Sequence, residues 1–500
     1  MSERIEPLQL SRRAFVLGAA VGTAGLCRRP RTPPAAPPAD ALEALAERLR
    51  AASPDDAFGI AAAAIRGGAG PEALLGAVFL AGLRDIRPRP HGILHAVMMV
   101  ESCFQLAAAA PAARAREAWL PVLWNLDDLK RSQERDRRED GDWSLPPRPR
   151  VPDLGAAAAR AELEAAWDER DVERADRAVL ALLPHHGRES LFELLWPRAG
   201  SCYAFIGHKL IYAAQIERVL ARIGWRYAEP ALRSLVMACL VNEDTGVWER
   251  TRELAPRLPA GWERGREEPA QSARLLAELR ETPPARAQEV ALAAFAEGLG
   301  PRTVWDALRL LGSEVFHRRP GRSSATGRNA LLPVHALTVA NACGHAWRAT
   351  AIEETRRLIV LQAAGWLTAL REDLVDMVDL SLEGPGIEQL GEELAAEEAP
   401  ADLDELFEEG SPAAARALLD REPGLAADYA EGLRDRLCRR AREHHQHKYA
   451  AAALEEARLA HPRWASRVLA PAIDYLARPG DPETELYRRS LEALRAAGVR

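Results

Sequence analysis

The chain has 500 residues, 48% of them hydrophobic, which is enough for one large helical body or two smaller ones and too much for a single ordinary core. A formal net charge of −7 excludes the basic footprint of a nucleic-acid binder. Alanine, leucine, arginine and glutamate dominate while β-branched residues are sparse, so the expected fold class is all-α: a large multi-helix body of packed helix pairs around a histidine-lined centre.

The N-terminal run Ser11-Arg12-Arg13-Ala14-Phe15-Val16-Leu17 resembles a twin-arginine export signal, and the apolar stretch after it, Ala14 to Leu26, is short for a transmembrane helix. Pro33 to Pro38 reads as a linker. The resemblance implies that the chain uses the twin-arginine export machinery, is folded before export and ends in a periplasmic or other extracytoplasmic space. Membrane contact is expected only through this segment, if it stays uncleaved. Residues 1–41 therefore form the signal and linker, 42–382 the main helical body, 383–425 an acidic linker with helical segments, and 426–500 C-terminal helices packing on the main body.

From Asp40 the apolar spacing predicts helices over Ala41–Ala51, Asp55–Arg66 and Pro71–Asp85. A histidine-bearing helix follows Pro90, and a longer helix is expected from Ala112 to Arg137, containing Trp124-Asn125-Leu126-Asp127-Asp128. Glu139 to Pro152 is charged and proline-rich and reads as a loop. Helices resume over Leu154–Trp167 and Val172–Leu183. His185 and His186, between Pro184 and Gly187, belong to a turn and to surface or capping roles. The six cysteines are far apart and form no CxxC pair, which argues for buried thiols rather than a zinc ribbon or disulfide framework.

Histidines in helices carry the chemistry. His91 and His95 in Pro-His-Gly-Ile-Leu-His lie one turn apart, a spacing that lets two imidazoles grip one transition metal. In the helix opened by Gly207, His208 shares a face with Tyr212 and Gln215, a polar stripe that needs partners if buried. His335, Thr338, Ala342 and His345 read as one stripe of another helix. In Glu443-His444-His445-Gln446-His447-Lys448-Tyr449, His445 lies on the more apolar face and is favoured over His444; a solvent-exposed histidine patch is the alternative there. The expected metal ligands are His91, His95, His208, His335 and His445, with Tyr212 and His345 as catalytic or supporting groups.

No HExxH, GxSxG, Walker loop or strand-borne GxGxxG is present, and GPGIEQLG at 384–391 lacks a preceding strand. No CxxCH haem attachment occurs, though histidine-ligated haem stays open. Pro-His-Gly-Ile-Leu-His, Ile-Gly-His-Lys-Leu-Ile-Tyr and His-Gln-His-Lys-Tyr together resemble a bacterial family of exported, histidine-containing helical proteins. More distantly, His91-Gly92-Ile93-Leu94-His95 and Val334-His335-Ala336-Leu337-Thr338 resemble helices of the questin oxidase-like family, which implies oxidative ring cleavage of aromatic polyketides. Those enzymes are linked to NADPH, for which this chain has no fingerprint.

Three readings follow. The first is a metal-dependent, oxygenase-like oxidoreductase acting on a small organic substrate, with iron foremost and copper, zinc or nickel also suited to neutral imidazoles. The second is a metal-independent enzyme with His91 or His335 as general base. The third is a helical scaffold with buried structural histidines.

Overall fold

The computed structural model describes residues 39–88, 94–138, 144–202, 206–240, 247–320, 327–394, 399–476 and 480–499. Among them the chain is helical throughout, with no strand and one isolated bridge between Arg266 and Leu299. No described helix is long and apolar enough to cross a membrane. The twin-arginine-like segment and His91 lie outside the described residues.

Six helices matter for the site and are labelled here in chain order: α1 (His95–Ala108), α2 (Leu120–Arg138), α3 (His208–Ile223), α4 (Pro301–His317), α5 (Val334–Ala349) and α6 (His444–Leu459). The helix expected over Ala112–Arg137 is instead a 3-10 segment, Ala112–Ala118, followed by α2. Arg114 breaks the helical geometry with φ −120° and ψ 58°. Pro121 then falls in the first turn of α2, where its missing N–H costs nothing; inside one continuous helix it would have removed a bond.

Local chemistry sets the ends of these helices. Gly207 precedes α3 with φ +81°, a left-handed conformation that glycine adopts without steric cost, and Gly224 closes α3 with φ +107°. At the start of α6 the Glu443 side chain accepts a hydrogen bond from the His445 backbone N–H, and Pro462 opens the next helix immediately beyond it. Proline at 333 precedes α5 and fixes its entry.

One hydrophobic core extends from Leu42 to Ala497 and includes residues of every one of the six helices. Large side chains such as Trp196, Trp366 and Trp464 are fully buried within it. Each such aliphatic or aromatic side chain contributes roughly 1.5–3 kcal/mol by leaving water. Within this body α1 packs on α3 and α6, and α5 packs on α3 and α6, so four helices close a ring. Helix α2 lies outside it against α1 and α6, and α4 lies against α5.

A candidate metal centre at four helix starts

Each helix of the ring carries histidine in its first turn: His95 in α1, His208 in α3, His335 in α5, and His444 with His445 in α6. Because the four helices meet at these ends, the imidazoles converge. His208 Nε2 stands 3.1 Å from His95 Nε2 and 3.1 Å from His335 Nε2. The His445 ring centroid is 4.3 Å from that of His95 and 5.0 Å from that of His335. One ligand nitrogen each from His95, His335 and His445 falls within 4.8 Å of the others, as do ligand atoms of Glu443, His444 and His445.

Hydrogen bonding fixes where the lone pairs point. His335 Nδ1 faces the carbonyls of Leu331 at 3.0 Å and Leu332 at 3.1 Å. Carbonyls only accept, so Nδ1 carries the proton and Nε2 presents its lone pair to the centre. His445 Nδ1 lies 2.6 Å from the Glu443 carboxylate, and its Nε2 is buried without a hydrogen-bond partner. An imidazole that gives its outer N–H to a carboxylate or carbonyl while its other nitrogen faces inward is the arrangement of metal-ligating histidines. Two nitrogens bound at about 2.0–2.1 Å to one ion lie about 3.0–3.4 Å apart, which brackets the spacing around His208. The donor set fits a transition ion that prefers imidazole.

Electrostatics disfavours protonation of His95, His335 and His445. Burial first, and then neighbouring His444, His445, His208 and Lys448, push His95 well below the usual imidazole range. Burial does the same to His335, assisted by His208 and His445. His445 is pulled by burial down to about 4 despite Glu443. Four helix starts directed at one point add positive potential, which also disfavours imidazolium.

His444 is the exception. Burial opposes its charge, yet Asp128 and Glu443 raise it to about 9. Its Nδ1 is 3.4 Å from Asp128 and its Nε2 is 2.8 Å from Glu443, while its ring stacks on His95 with centroids 4.2 Å apart. His445 and then His444 hold the carboxyl of Glu443, despite burial, below the usual range.

The expected residues divide clearly. His95, His208, His335 and His445 come together. His345 does not: it sits ten residues beyond His335, about 15 Å along the axis and turned roughly 80° from it, so the two never shared a face. Its Nε2 lies 2.9 Å from Glu217, and its ring meets Trp196 edge-on at 6.0 Å. Tyr212, one turn after His208, is buried with its hydroxyl 2.7 Å from Ser234 Oγ, and burial raises its phenol. His185 and His186 occupy the turn as expected, against Leu154 O at 2.9 Å and Ser190 Oγ at 3.3 Å. The exposed-patch alternative for 444–447 does not hold, since His445 is buried and His447 is completely so.

Asp128, Glu443, His447 and Lys448 were given no role from the sequence, and His444 was passed over in favour of His445. His447 packs on Trp124 with ring centroids 4.4 Å apart, and neither of its nitrogens has a hydrogen-bond partner. Lys448 is buried, its Nζ lacks a hydrogen-bond partner, and burial lowers its amine to about 7. The available signal was a run of five ionisable residues in six, opening an alanine-rich helix.

Comparison with family models, with curated proteins and with solved structures finds no match to this chain.

Proposed function

We propose that the protein is a metal-dependent oxidoreductase, oxygenase-like in its chemistry, whose buried ion is held by His95, His208, His335 and His445 and acts on a small organic substrate. The observation that carries this reading is the convergence of unprotonated imidazole nitrogens whose outer N–H groups, in His335 and His445, are already committed to acceptors. Iron is the first choice, with copper, zinc or nickel compatible with the same donors. When bound, such an ion supplies Lewis acidity and, for iron or copper, one-electron exchange. The chain's own residues hold the donors in place, exclude water through the surrounding core and keep one imidazolium, His444, beside the centre. The converging helix starts favour a substrate or co-substrate that carries or develops negative charge. Export through the twin-arginine route is proposed with it, on the Ser11–Leu17 motif alone.

The test is elemental analysis of protein purified without chelators or a histidine tag. Near-stoichiometric iron, copper, zinc or nickel is expected, and His335→Ala should lose most of it while keeping its helical circular dichroism. Metal-free wild-type protein that stays metal-free after incubation with these ions would end the reading.

A further inference from the structure

Three of the ligand-bearing helices are joined a second time, far from the imidazoles. Arg218 of α3 makes a two-pronged ion pair with Glu455 of α6, Nη1–Oε2 2.8 Å and Nη2–Oε1 3.1 Å. Asn341 of α5 donates from Nδ2 to Glu455 at 2.9 Å and to Glu456 at 2.7 Å. Glu456 in turn accepts from Arg309 Nε of α4 at 2.6 Å. Arg218 is 8% exposed, Asn341 4% and Glu456 1%.

These groups stand at defined offsets from the ligands. Arg218 lies ten residues after His208, Asn341 six after His335, and Glu455 ten after His445. The polar knot is therefore about 9–15 Å along the helices from the imidazole centre. Between the two, α6 and part of α5 present little relief, whereas α3 presents Leu210, Ile211, Tyr212 and Ile216. Helix α6 carries Ala450-Ala451-Ala452-Ala453, and α5 carries Ala336 and Ala340 beside Leu337 and Val339, all buried. Small side chains form shallow ridges, so a slide of one helix along another loses little packing. Sliding by one residue would move an imidazole about 1.5 Å, whereas a metal site tolerates about 0.2 Å. The alanine-rich face of α6 alone therefore sets its spacing only weakly. Buried polar networks are best attested in this capacity, as devices that select one register among near-equal alternatives.

We infer that Arg218, Asn341 and Glu455 are positioning residues, which lock the axial register of α3, α5 and α6 and so hold His208, His335 and His445 at ligand spacing. The inference rests on the metal-centre reading above.

The experiment uses the full chain and Co(II) as the probe ion, reading its dissociation constant and its visible ligand-field bands alongside urea stability. The variants are Glu455→Ala and Asn341→Leu, the second keeping the branched shape and the heavy-atom count of the native side chain and so retained if the first does not fold. The control is Asp176→Asn, which weakens the buried Arg233–Asp176 pair (2.8 Å) between helices Val172–Leu182 and Ala228–Leu240, neither of which bears a histidine of the centre. Expected is a weakening of Co(II) binding by about tenfold or more with shifted bands in Asn341→Leu and Glu455→Ala. The control should lose stability with unchanged binding and bands. Wild-type binding and bands in Asn341→Leu would overturn the inference. Should wild-type protein take no Co(II), the metal reading falls on its own. The register is then read from the imidazole 15N shifts of His208 and His335, which must move in Asn341→Leu and not in Asp176→Asn for the inference to stand.

Discussion

His447 shows how a single side chain can tie stability to acidity. It is completely buried on Trp124, without a hydrogen-bond partner, and burial lowers it to about 3. Its folded value lies below its unfolded one, so the stabilisation it allows is complete above about pH 6.5 and is lost as pH falls towards 3. By pH 5 the cost of keeping it neutral is about 2 kcal/mol relative to pH 8. His447→Leu should therefore flatten the acid limb of a urea-stability profile recorded on chelator-treated protein; an unchanged limb would assign the acid sensitivity elsewhere. At this scale the sequence was partly legible. The histidines at 95, 208, 335 and 445 stood out because a titratable ring in an apolar helix demands a partner. Asp128 did not, because one aspartate among several in Asp127-Asp128 shows no sign of the imidazole 316 residues away that it faces.

Helix starts are the next level of organisation. Gly207 places His208 at the head of α3, and a Cβ there would lie 2.5 Å from Val339 Cγ2 on α5, one turn beyond His335. With φ at +81° as well, Gly207→Ala should cost about 1–3 kcal/mol and displace His208 from its neighbours. The expected readout is a loss of metal affinity larger than that of an equally destabilising core substitution; equal losses would mean that Gly207 serves the fold alone. Helix positions were readable from apolar periodicity and proline placement, as at Pro71, where the expected helix Pro71–Asp85 is the observed one. Faces were less so. The run from His335 to His345 looked like one stripe because successive offsets of three and four residues each appear in phase. Their sum of ten is not in phase, and His345 turns towards Glu217 instead.

Among the described residues, the last helix returns to an early one. The helix Glu485–Ala496 packs on Pro54–Arg66 and on α2, with Arg489 reaching Asp127 and Asp55 at 3.4 Å and Arg66 donating to Ala496 O at 2.7 Å. Since α2 also carries Asp128, the last described helix braces the charged partner of His444 from behind. Leu494 is 1% exposed within that contact, and Leu494→Ala should cost about 2–4 kcal/mol. Tryptophan fluorescence and far-ultraviolet circular dichroism should still fall at one shared urea concentration; separated transitions would show the two ends unfolding apart. Composition made the all-α class legible at this scale, whereas the ring of α1, α3, α5 and α6 was not, since its contacts join segments more than a hundred residues apart.

That separation shapes how the centre comes into being. His95 and His208 are 113 residues apart, His208 and His335 a further 127, and α6 follows later still. No fragment short enough to emerge early from the ribosome contains more than one corner of the ring. Long-range closures of this kind are slow. On the metal reading proposed above, an ion offered to the nascent chain would meet isolated imidazoles with ordinary, weak affinity, and a tight site would exist only once α6 has docked. On that reading loading would be a late event of biosynthesis, falling between translation of α6 and final burial of its histidines, and the compartment in which that interval falls would decide which metal is on offer.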